Sequence, residues 1–126
     1  MADSRDEPIA EKRLTARVKV WIETDGEYVF GFGLSEMLKA VDEAGSIKGA
    51  ADRLGKSYRY VWGRIKKAED ALGKPLVNAR VGGAGTSRST LTELAARLVS
   101  DYDALRARMF EVVEAEFSSR FETPEP

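Results

Sequence analysis

The chain of 126 residues contains no cysteine and no histidine. Without cysteine it can form neither a disulfide nor a thiolate metal site. Without histidine it lacks the usual zinc ligand and the commonest general base. The sequence shows no nucleophile–base pair and no metal-binding constellation. We therefore expect no catalytic residues, no metal and no cofactor, and we do not expect an enzyme.

Long apolar runs are missing as well. No run approaches the roughly 20 residues that span a bilayer, and the polar start Met1–Pro8 has no apolar region typical of a signal peptide. We therefore expect a soluble, cytoplasmic protein without a membrane partner. The charged or proline-containing ends, 1–12 and 122–126, are predicted to be disordered. One domain remains, over residues 13–121.

Charge is distributed unevenly along the chain. The net charge is only −1, yet residues Ser46 to Leu91 include ten basic and three acidic side chains, a local charge of +7. The rest of the chain therefore carries −8. Such asymmetry within one small domain is typical of a nucleic-acid-binding face. It indicates double-stranded DNA as a partner and an acidic remainder that limits nonspecific binding.

The centre of the chain has the pattern of a helix-turn-helix. Ser46 and Ser57 are suited to cap two successive helices, and Gly55 follows the last apolar residue of the first, where positive φ is expected. The second helix is predicted from about Tyr58 to Leu72. In a helix-turn-helix this second helix enters the major groove. Its predicted buried face is Tyr58, Val61, Trp62, Ile65 and Leu72.

The opposite face of the second helix is basic and rich in hydrogen-bond donors. Arginine can read guanine through two hydrogen bonds, and tyrosine can contact phosphate or a base. Gly63 costs the helix about 1 kcal/mol relative to alanine, which indicates close approach of DNA or of a neighbouring helix. The alternative is an ordinary helical hairpin with a solvated basic face. The predicted face is Arg59, Tyr60, Gly63, Arg64 and Lys67, preceded by Lys56.

Two hairpins flank the helical core. Alternating apolar residues predict a strand from Leu14 to Glu23, Asp25–Gly26 a hairpin turn, and Glu27–Phe32 the return strand. A first helix is predicted over Leu34–Ala44. After the second helix of the motif, a strand over Pro75–Val81, a flexible glycine-rich loop over Gly82–Arg88 and a return strand over Ser89–Leu91 predict a wing. Its Ser87 and Arg88 are expected to contact phosphate or the minor groove.

Thr92 is suited to cap a long helix from about Glu93 to Arg120. Its two apolar stripes exceed what one small domain can cover, so one of them predicts a partner helix and a homodimer. The alternative is packing of this helix on the N-terminal hairpin. The predicted dimer interface is Leu98, Tyr102, Leu105, Met109, Phe110, Val113 and Phe117.

Together these elements predict a mainly α winged helix-turn-helix with small β hairpins. The function that they favour is a transcriptional regulator that binds a palindromic operator as a dimer. The alternative is a protein-interaction module built on the same scaffold, without direct operator reading. The predicted DNA-binding residues are Lys48, Lys56, Ser57, Tyr58, Arg59, Tyr60, Gly63, Arg64, Lys67, Arg80, Ser87 and Arg88. Of these, Arg59 and Arg64 are expected to read bases and the lysines, Arg80 and Arg88 to contact phosphates.

The order of several short segments resembles the N-terminal DNA-binding domain of molybdate-responsive ModE-type regulators, which is related to LysR-type domains. The matching segments are Val29–Gly33, Gly45–Ile47, Ala50–Ala51, Leu54–Gly55, Ser57–Tyr58, Trp62, Ile65, Leu76–Val77, Arg80, Gly82–Gly83, Leu91–Thr92 and Arg97–Leu98. The resemblance covers about Leu14 to Val113. It implies a winged-helix dimer that binds a palindromic operator.

The chain departs from this family in two places. In the family, a lysine and further glycines commonly follow the glycine pair of the wing, whereas Ala84–Arg88 follow here, so contacts of the wing are expected to differ. Full-length members also carry a C-terminal oxyanion-binding module, which has no counterpart after the long helix of this sequence. We therefore do not expect molybdate as an effector of this chain. We expect a free-standing regulator or one that works with a separate partner.

Overall fold

The computed structural model describes residues 13–81 and 87–121, with the side chains of 79–81 and 87 left aside. Eight elements follow one another in the described chain: β1 (Trp21–Thr24), β2 (Glu27–Gly31), α1 (Phe32–Ala44), α2 (Ile47–Leu54), α3 (Tyr58–Leu72), β3 (Val77–Val81), β4 (Ser87–Leu91) and α4 (Glu93–Phe121). This is the mainly helical winged helix-turn-helix that the sequence predicts. The predicted tails 1–12 and 122–126 and the loop residues 82–86 lie outside the described residues.

The first hairpin forms at the predicted turn but with shorter strands. β1 and β2 pair antiparallel from Trp21–Gly31 to Thr24–Glu27, and Asp25 and Gly26 have φ of 52° and 80°, as a two-residue hairpin turn requires. The prediction of a strand from Leu14 is wrong, because the five-residue β2 leaves the chain before Trp21 without a ladder partner. Phe32 begins α1 instead of ending β2, and its side chain is exposed.

Side-chain caps and left-handed glycines define the helix-turn-helix as predicted. Ser46 Oγ accepts a hydrogen bond from Gly49 N at 2.9 Å, and Ser57 Oγ accepts one from Tyr60 N at 3.0 Å. Gly55, with φ of 67°, ends α2. The backbone N–H of Gly55 donates to the Asp52 carbonyl at 3.3 Å and that of Lys56 donates to the Ala51 carbonyl at 3.0 Å, which caps the last turn of α2. The turn between α2 and α3 is therefore fixed by local chemistry.

The core lies between α1, α2, α3, the β2 strand and the start of α4. Ala50 and Ala51 are fully buried and let α2 approach its neighbours closely. The buried stripe of α3 is consequently narrow and consists of Val61, Ile65 and Ala68. The buried set is Val29, Phe30, Leu34, Met37, Leu38, Ala40, Val41, Ala50, Ala51, Val61, Ile65, Ala68, Leu76, Ala95, Val99 and Tyr102.

The predicted burial of two aromatic residues of α3 is wrong. Tyr58 is 53% exposed and Trp62 is 46% exposed. Both lie at the edge of the stripe formed by Val61 and Ile65, at helical angles that the closely packed alanines of α2 do not cover. Both rings therefore belong to the surface of α3.

The wing is anchored to the helical core through both of its strands. The Glu69 carboxylate accepts hydrogen bonds from the backbone of Leu76 at 2.8 Å and of Val77 at 3.3 Å, which joins α3 to β3. The backbone N–H of Ser89 donates to the carbonyl of Gly45 at 2.7 Å, which joins β4 to the turn between α1 and α2. β3 and β4 pair antiparallel from Val77–Leu91 to Val81–Ser87.

The chain forms two compact units, and α4 begins in one and ends in the other. The larger unit, residues 20–106, contains both hairpins, the helix-turn-helix and the first half of α4. Thr92 caps α4 as predicted, because its Oγ1 accepts from Ala95 N at 3.1 Å. Tyr102 is 1% exposed. Its hydroxyl donates to the Val20 carbonyl at 2.7 Å, and its ring lies edge-on to Phe30 at 5.4 Å.

The smaller unit contains, among its described residues, 13–19 and 107–121. Residues Leu14–Val18 and the second half of α4 line a common cavity of about 470 Å³. On α4 the lining includes Phe110, Val113 and Phe117. Phe117 also stacks on Phe121 with 5.1 Å between ring centroids. Within this unit, the second half of α4 therefore lies beside residues 14–18, which precede the β1–β2 hairpin.

Candidate nucleic-acid interface

The outward face of α3 is centred on Gly63. At about 100° per residue, Gly63 lies about 160–200° around the helix from Val61 and Ile65, opposite the buried stripe. A β-carbon built at Gly63 meets no described atom within 4 Å. Close approach of a neighbouring helix is therefore not the reason for this glycine. The open space faces outward, where an incoming surface can reach the helix backbone.

Arg64 is held on this face by two tyrosines. Its Nη1 donates to the Tyr60 hydroxyl at 3.0 Å, and its Nη2 donates to the Tyr28 hydroxyl at 3.4 Å. The guanidinium carbon lies 5.8 Å from the Tyr28 ring centroid and 5.9 Å from that of Tyr60, within the range of cation–π attraction. The guanidinium is thus oriented by contacts that precede any ligand.

The start of α3 presents further polar groups. The Lys56 ammonium lies 5.6 Å from the centroid of the Tyr60 ring, and Ser57, Tyr58 and Arg59 are all exposed. The first turn of a helix carries partial positive charge from its backbone N–H groups. The charges of Lys56 and Arg59 therefore add to the positive potential at the N-terminal end of α3.

The other residues predicted to contact DNA lie on α3, on α2 and on the wing. Lys67 lies on the exposed side of α3 and Lys48 is exposed on α2. The Arg88 guanidinium packs over Gly45, because a β-carbon there would come within 2.8 Å of its Nη1. Arg88 therefore lies against the turn between α1 and α2, beside the α2 helix. The side chains of Arg80 and Ser87 lie outside the described residues, although their backbones form the paired strands of the wing.

Other cations near this face are paired with carboxylates. The Lys66 ammonium lies 3.9 Å from Asp70, and Arg53 contacts Glu43 at 3.3 Å. Both pairs are exposed, so each contributes little to stability. Asp70 is already counted in the local charge of +7, whereas Glu43 lies outside residues 46–91 and offsets one further positive charge. Arg59 and Lys67 are exposed on α3.

Tyr28 is the residue of this face that sequence reasoning misses, and Trp62 is an exposed residue of α3 that the same reasoning assigns to the core. Tyr28 falls in a strand pattern, which assigns it to a hairpin surface and gives no sign that it reaches α3. Trp62 fits an apolar helical stripe, and only its position at the edge of that stripe could have suggested exposure. Both residues are aromatic and lie in sequence patterns that usually predict packing against the domain.

The predicted dimer residues are divided between core and surface. Tyr102 is buried and Leu98 packs against the core, both within the larger unit. In contrast, Leu105 is 42% exposed and Phe110 is 39% exposed, and Met109, Val113 and Phe117 are partly exposed. Apolar surface on α4 is thus concentrated from Leu105 onward.

A polar cluster fastens α4 to α1 within the larger unit. Asp103 accepts hydrogen bonds from the buried Ser35 hydroxyl at 3.0 Å and from the Lys39 ammonium at 2.8 Å. The hydrogen bond to Asp103, with a second to Glu36, raises the pKa of Lys39. Burial works against ionisation of Asp103, but the hydrogen bonds from Lys39 and Ser35 outweigh it and lower the pKa of this carboxyl. Desolvation raises the pKa of the Tyr102 phenol.

The described part of the chain shows neither a metal-binding cluster nor a membrane-spanning helix. Across residues 13–81 and 87–121, no group of three or more carboxylates lies close enough together to hold a metal ion. Over the same ranges, no helix has the length and apolar character required to cross a membrane.

Comparison with solved structures supports the fold. LysG from Corynebacterium glutamicum is 27% identical, with a TM-score of 0.52 and coverage of 72% of this chain and 30% of LysG. The BenM_DBD chain in its complex with catB site 1 DNA has a TM-score of 0.52 at 18% identity, with coverage of 75% of this chain and 97% of that one. The second likeness shows the fold alone.

Sequence comparison gives the family. The molybdenum-pterin-binding protein MopB of Rhodobacter capsulatus is 32% identical over 71 residues, 56% of this chain and 26% of MopB. This chain thus spans less than a third of the length of MopB or LysG, and the similarity to MopB agrees with the ModE-type resemblance. Residues 33–96 match the family described as bacterial regulatory helix-turn-helix protein, lysR family. The chain therefore belongs to the LysR family of bacterial regulatory helix-turn-helix proteins.

Proposed function

We propose that the protein regulates transcription by binding a palindromic operator as a homodimer, with α3 of each protomer in a major groove. The observation that carries this proposal is the outward face of α3, where Arg64 is oriented beside a glycine with open space around it. A helix that meets base edges needs both features, because its backbone must come close and its donors must point outward. We propose residues 13–121 as the DNA-binding domain and dimerisation helix.

Arg59 and Arg64 are the proposed base-reading residues, with Tyr60 assisting. Arg59 lies in the first turn of α3, which is the part of a recognition helix that contacts base edges. Arg64 lies one turn later and beside Gly63. The proposed phosphate contacts are Lys48, Lys56, Lys67, Arg80 and Arg88, because positive charge around a recognition helix fixes its register on the duplex without reading sequence.

Dimerisation is proposed through the apolar residues of α4 from Leu105 onward. Leu105, Met109 and Phe110 present apolar side chains that a partner helix could cover. A two-fold dimer would place two recognition helices one helical turn of DNA apart, about 34 Å, which a palindromic operator requires. Binding both half-sites with one body raises the overall affinity well above that of either half alone.

Selection of a bound sequence from a random duplex library tests the reading of bases. We expect one palindromic site for the unmodified protein. With Arg59→Ala or Arg64→Ala, affinity should fall by about 1–3 kcal/mol and preference should be relaxed at one base pair of each half-site. Arg53→Ala is the matched control, because Arg53 is exposed on α2 and paired with Glu43. Unchanged affinity and preference in both α3 variants would refute the assignment.

Sedimentation of the unmodified protein and of a Met109→Glu, Phe110→Glu variant tests the dimer. The two carboxylates would be desolvated in the proposed helix contact, so we expect a folded monomer with weak operator binding. Arg108→Glu is the matched control for added negative charge on the same turn, since Arg108 is fully on the exposed side. A monomer at micromolar concentration for the unmodified protein, both free and on DNA, would contradict this proposal.

We further propose that the protein has no catalytic activity and acts in the cytoplasm, where a transcriptional regulator meets its operator. The absence of histidine and cysteine supports the first statement, because the usual general base and thiol nucleophile are missing. Turnover of any substrate by the purified protein would contradict it. Fractionation of cells that carry a tagged copy would test the second.

A further inference from the structure

The contacts of Arg64 join two parts of the chain that are far apart in sequence. Tyr60 lies one turn earlier on α3, so its contact with Arg64 is a local pair of the same helix. Tyr28 belongs instead to β2 of the N-terminal hairpin, and its hydroxyl accepts from Arg64 Nη2 at 3.4 Å. The hairpin therefore reaches the outward face of the recognition helix through one exposed side chain.

The backbone of β2 is built to allow this reach. Tyr28 pairs with Glu23 of β1, next to an irregularity between Ile22 and Glu23. A β-carbon on Gly31 would collide with the Tyr28 hydroxyl. The ring of Tyr28 thus lies along its own strand over Gly31, and only a residue without a side chain permits that position. Gly31 has extended φ of −157°, so space and not backbone conformation explains the glycine.

We infer that Tyr28 is a positioning residue that orients Arg64 for base reading, an inference that rests on the proposed function. An arginine side chain that is ordered before binding loses less conformational entropy when it meets its ligand. The two tyrosines occupy two of the five guanidinium N–H donors, which leaves three. A bidentate contact with guanine needs two donors. Arg64 can therefore be held by Tyr28 and Tyr60 while it reads a base.

The position of Tyr28 argues against a role in the stability of the core. Its side chain is 42% exposed, and the core residues of β2 are its neighbours Val29 and Phe30. Removal of the hydroxyl leaves no buried group without a partner. A loss of sequence preference after such a change would therefore report on Arg64 and not on the fold.

The test is a double-mutant cycle on the selected operator with Tyr28→Phe, Tyr28→Leu, Arg64→Ala and the Tyr28→Phe, Arg64→Ala double variant. We expect affinity to fall about 3-fold for Tyr28→Phe and about 10-fold for Tyr28→Leu, because the first removes a hydrogen bond and the second also removes the ring. The loss should be confined to operators that keep the base pair read by Arg64. In the Arg64→Ala background, Tyr28→Phe should have no further effect.

Two more variants separate positioning from a general effect on the hairpin. Gly31→Ala should act like Tyr28→Leu, because the new methyl group displaces the Tyr28 ring and leaves the tyrosine in the chain. Trp21→Phe is the matched control, since Trp21 is an exposed aromatic residue of the same hairpin whose indole N–H donates to the Glu23 carboxylate at 2.8 Å. It should bind like the unmodified protein, and thermal melts should show that all variants are folded.

Three outcomes would overturn this inference. Tighter binding by Tyr28→Phe would mean that the tyrosine withholds Arg64 from DNA. An equal loss on all sequences, or a loss that persists without Arg64, would mean a structural role. No change in either Tyr28 variant, while Arg64→Ala loses preference, would remove the inference and leave the proposed function intact. If the unmodified protein selects no sequence, both the proposed function and the inference about Tyr28 are refuted.

Discussion

Replacement of Gly63 by alanine should stabilise the fold and weaken operator binding at the same time. Glycine in a helix interior is about 1 kcal/mol less favourable than alanine. The new methyl group would meet no described atom within 4 Å, so no steric cost offsets that gain. For a domain of this size, about 1 kcal/mol corresponds to a rise of roughly 3–5 °C in the melting temperature.

Gly73 offers a matched control at the end of the same helix. A β-carbon at Gly73 also meets nothing within 4 Å, but its φ is +72°. Alanine there is strained whatever the space around it, so Gly73→Ala should destabilise the fold by about 1 kcal/mol. Two glycines of α3 with equally open surroundings should therefore respond in opposite directions. Thermal melts followed by circular dichroism at 222 nm measure both.

The binding half of the prediction depends on the closeness of DNA to the helix backbone. If α3 lies in a major groove with Gly63 toward the base edges, a methyl group separates the two surfaces, and affinity should fall by at least tenfold for Gly63→Ala. Titration of a labelled operator at fixed salt measures it. A variant that melts higher and binds equally well would refute close approach at Gly63 and leave the stability argument standing. A lower melting temperature would refute the stability argument.

Two further predictions concern charge. Replacement of any one of Lys48, Lys56 and Lys67 by glutamine should flatten the dependence of log K on log salt by roughly 0.9. Lys66→Gln should flatten it less, because Lys66 is paired with Asp70. The same salt dependence in all four variants would show that these lysines form only a solvated surface. Asp103→Asn should lower the free energy of unfolding by about 0.5 kcal/mol near neutral pH, a small value because the pair with Lys39 is partly solvated. The lowered pKa of Asp103 means that its contribution is present above the unfolded value of 3.8 and is lost as pH falls through the folded value. The raised pKa of Lys39 means that its contribution is present below 10.5 and is lost as pH rises through the folded value. In denaturant titrations the stability difference between the two proteins should be full between pH 3.8 and 10.5 and should shrink as the pH falls below 3.8; a difference that stays constant as the pH is lowered below 3.8 would contradict the assignment.

The parts of the fold that the sequence predicts are those fixed by local chemistry. Serine caps and left-handed glycines mark helix ends because each satisfies backbone groups within a few residues. Ser46, Gly55 and Ser57 therefore define the helix-turn-helix without knowledge of the rest of the chain. The Asp25–Gly26 turn belongs to the same class. The β1 strand does not, because its length depends on the length of β2.

The composition of the interface is harder to predict because it depends on neighbours distant in sequence. Helical periodicity places Tyr58 and Trp62 beside Val61, but the size of the residues on α2 decides how wide the buried stripe becomes. Ala50 and Ala51 make that stripe narrow, so the two rings remain on the surface. The contact between Tyr28 and Arg64 depends in turn on the space above Gly31. None of these conditions is visible in the residues of α3.

Sequence periodicity is also insufficient to predict which part of the long helix α4 is buried. Its apolar residues repeat without interruption on both sides of Arg106, so periodicity cannot tell where packing on the domain ends. In the structure, Val99 and Tyr102 are buried while Leu105 and Phe110 are substantially exposed. A helix that only completes a core has no need of exposed apolar residues beyond it, because polar ones would keep the same helix soluble. The exposed apolar residues of α4 from Leu105 onward are therefore the strongest support for the proposed dimer. The Met109→Glu, Phe110→Glu variant places two charges on that surface and so tests the dimer directly.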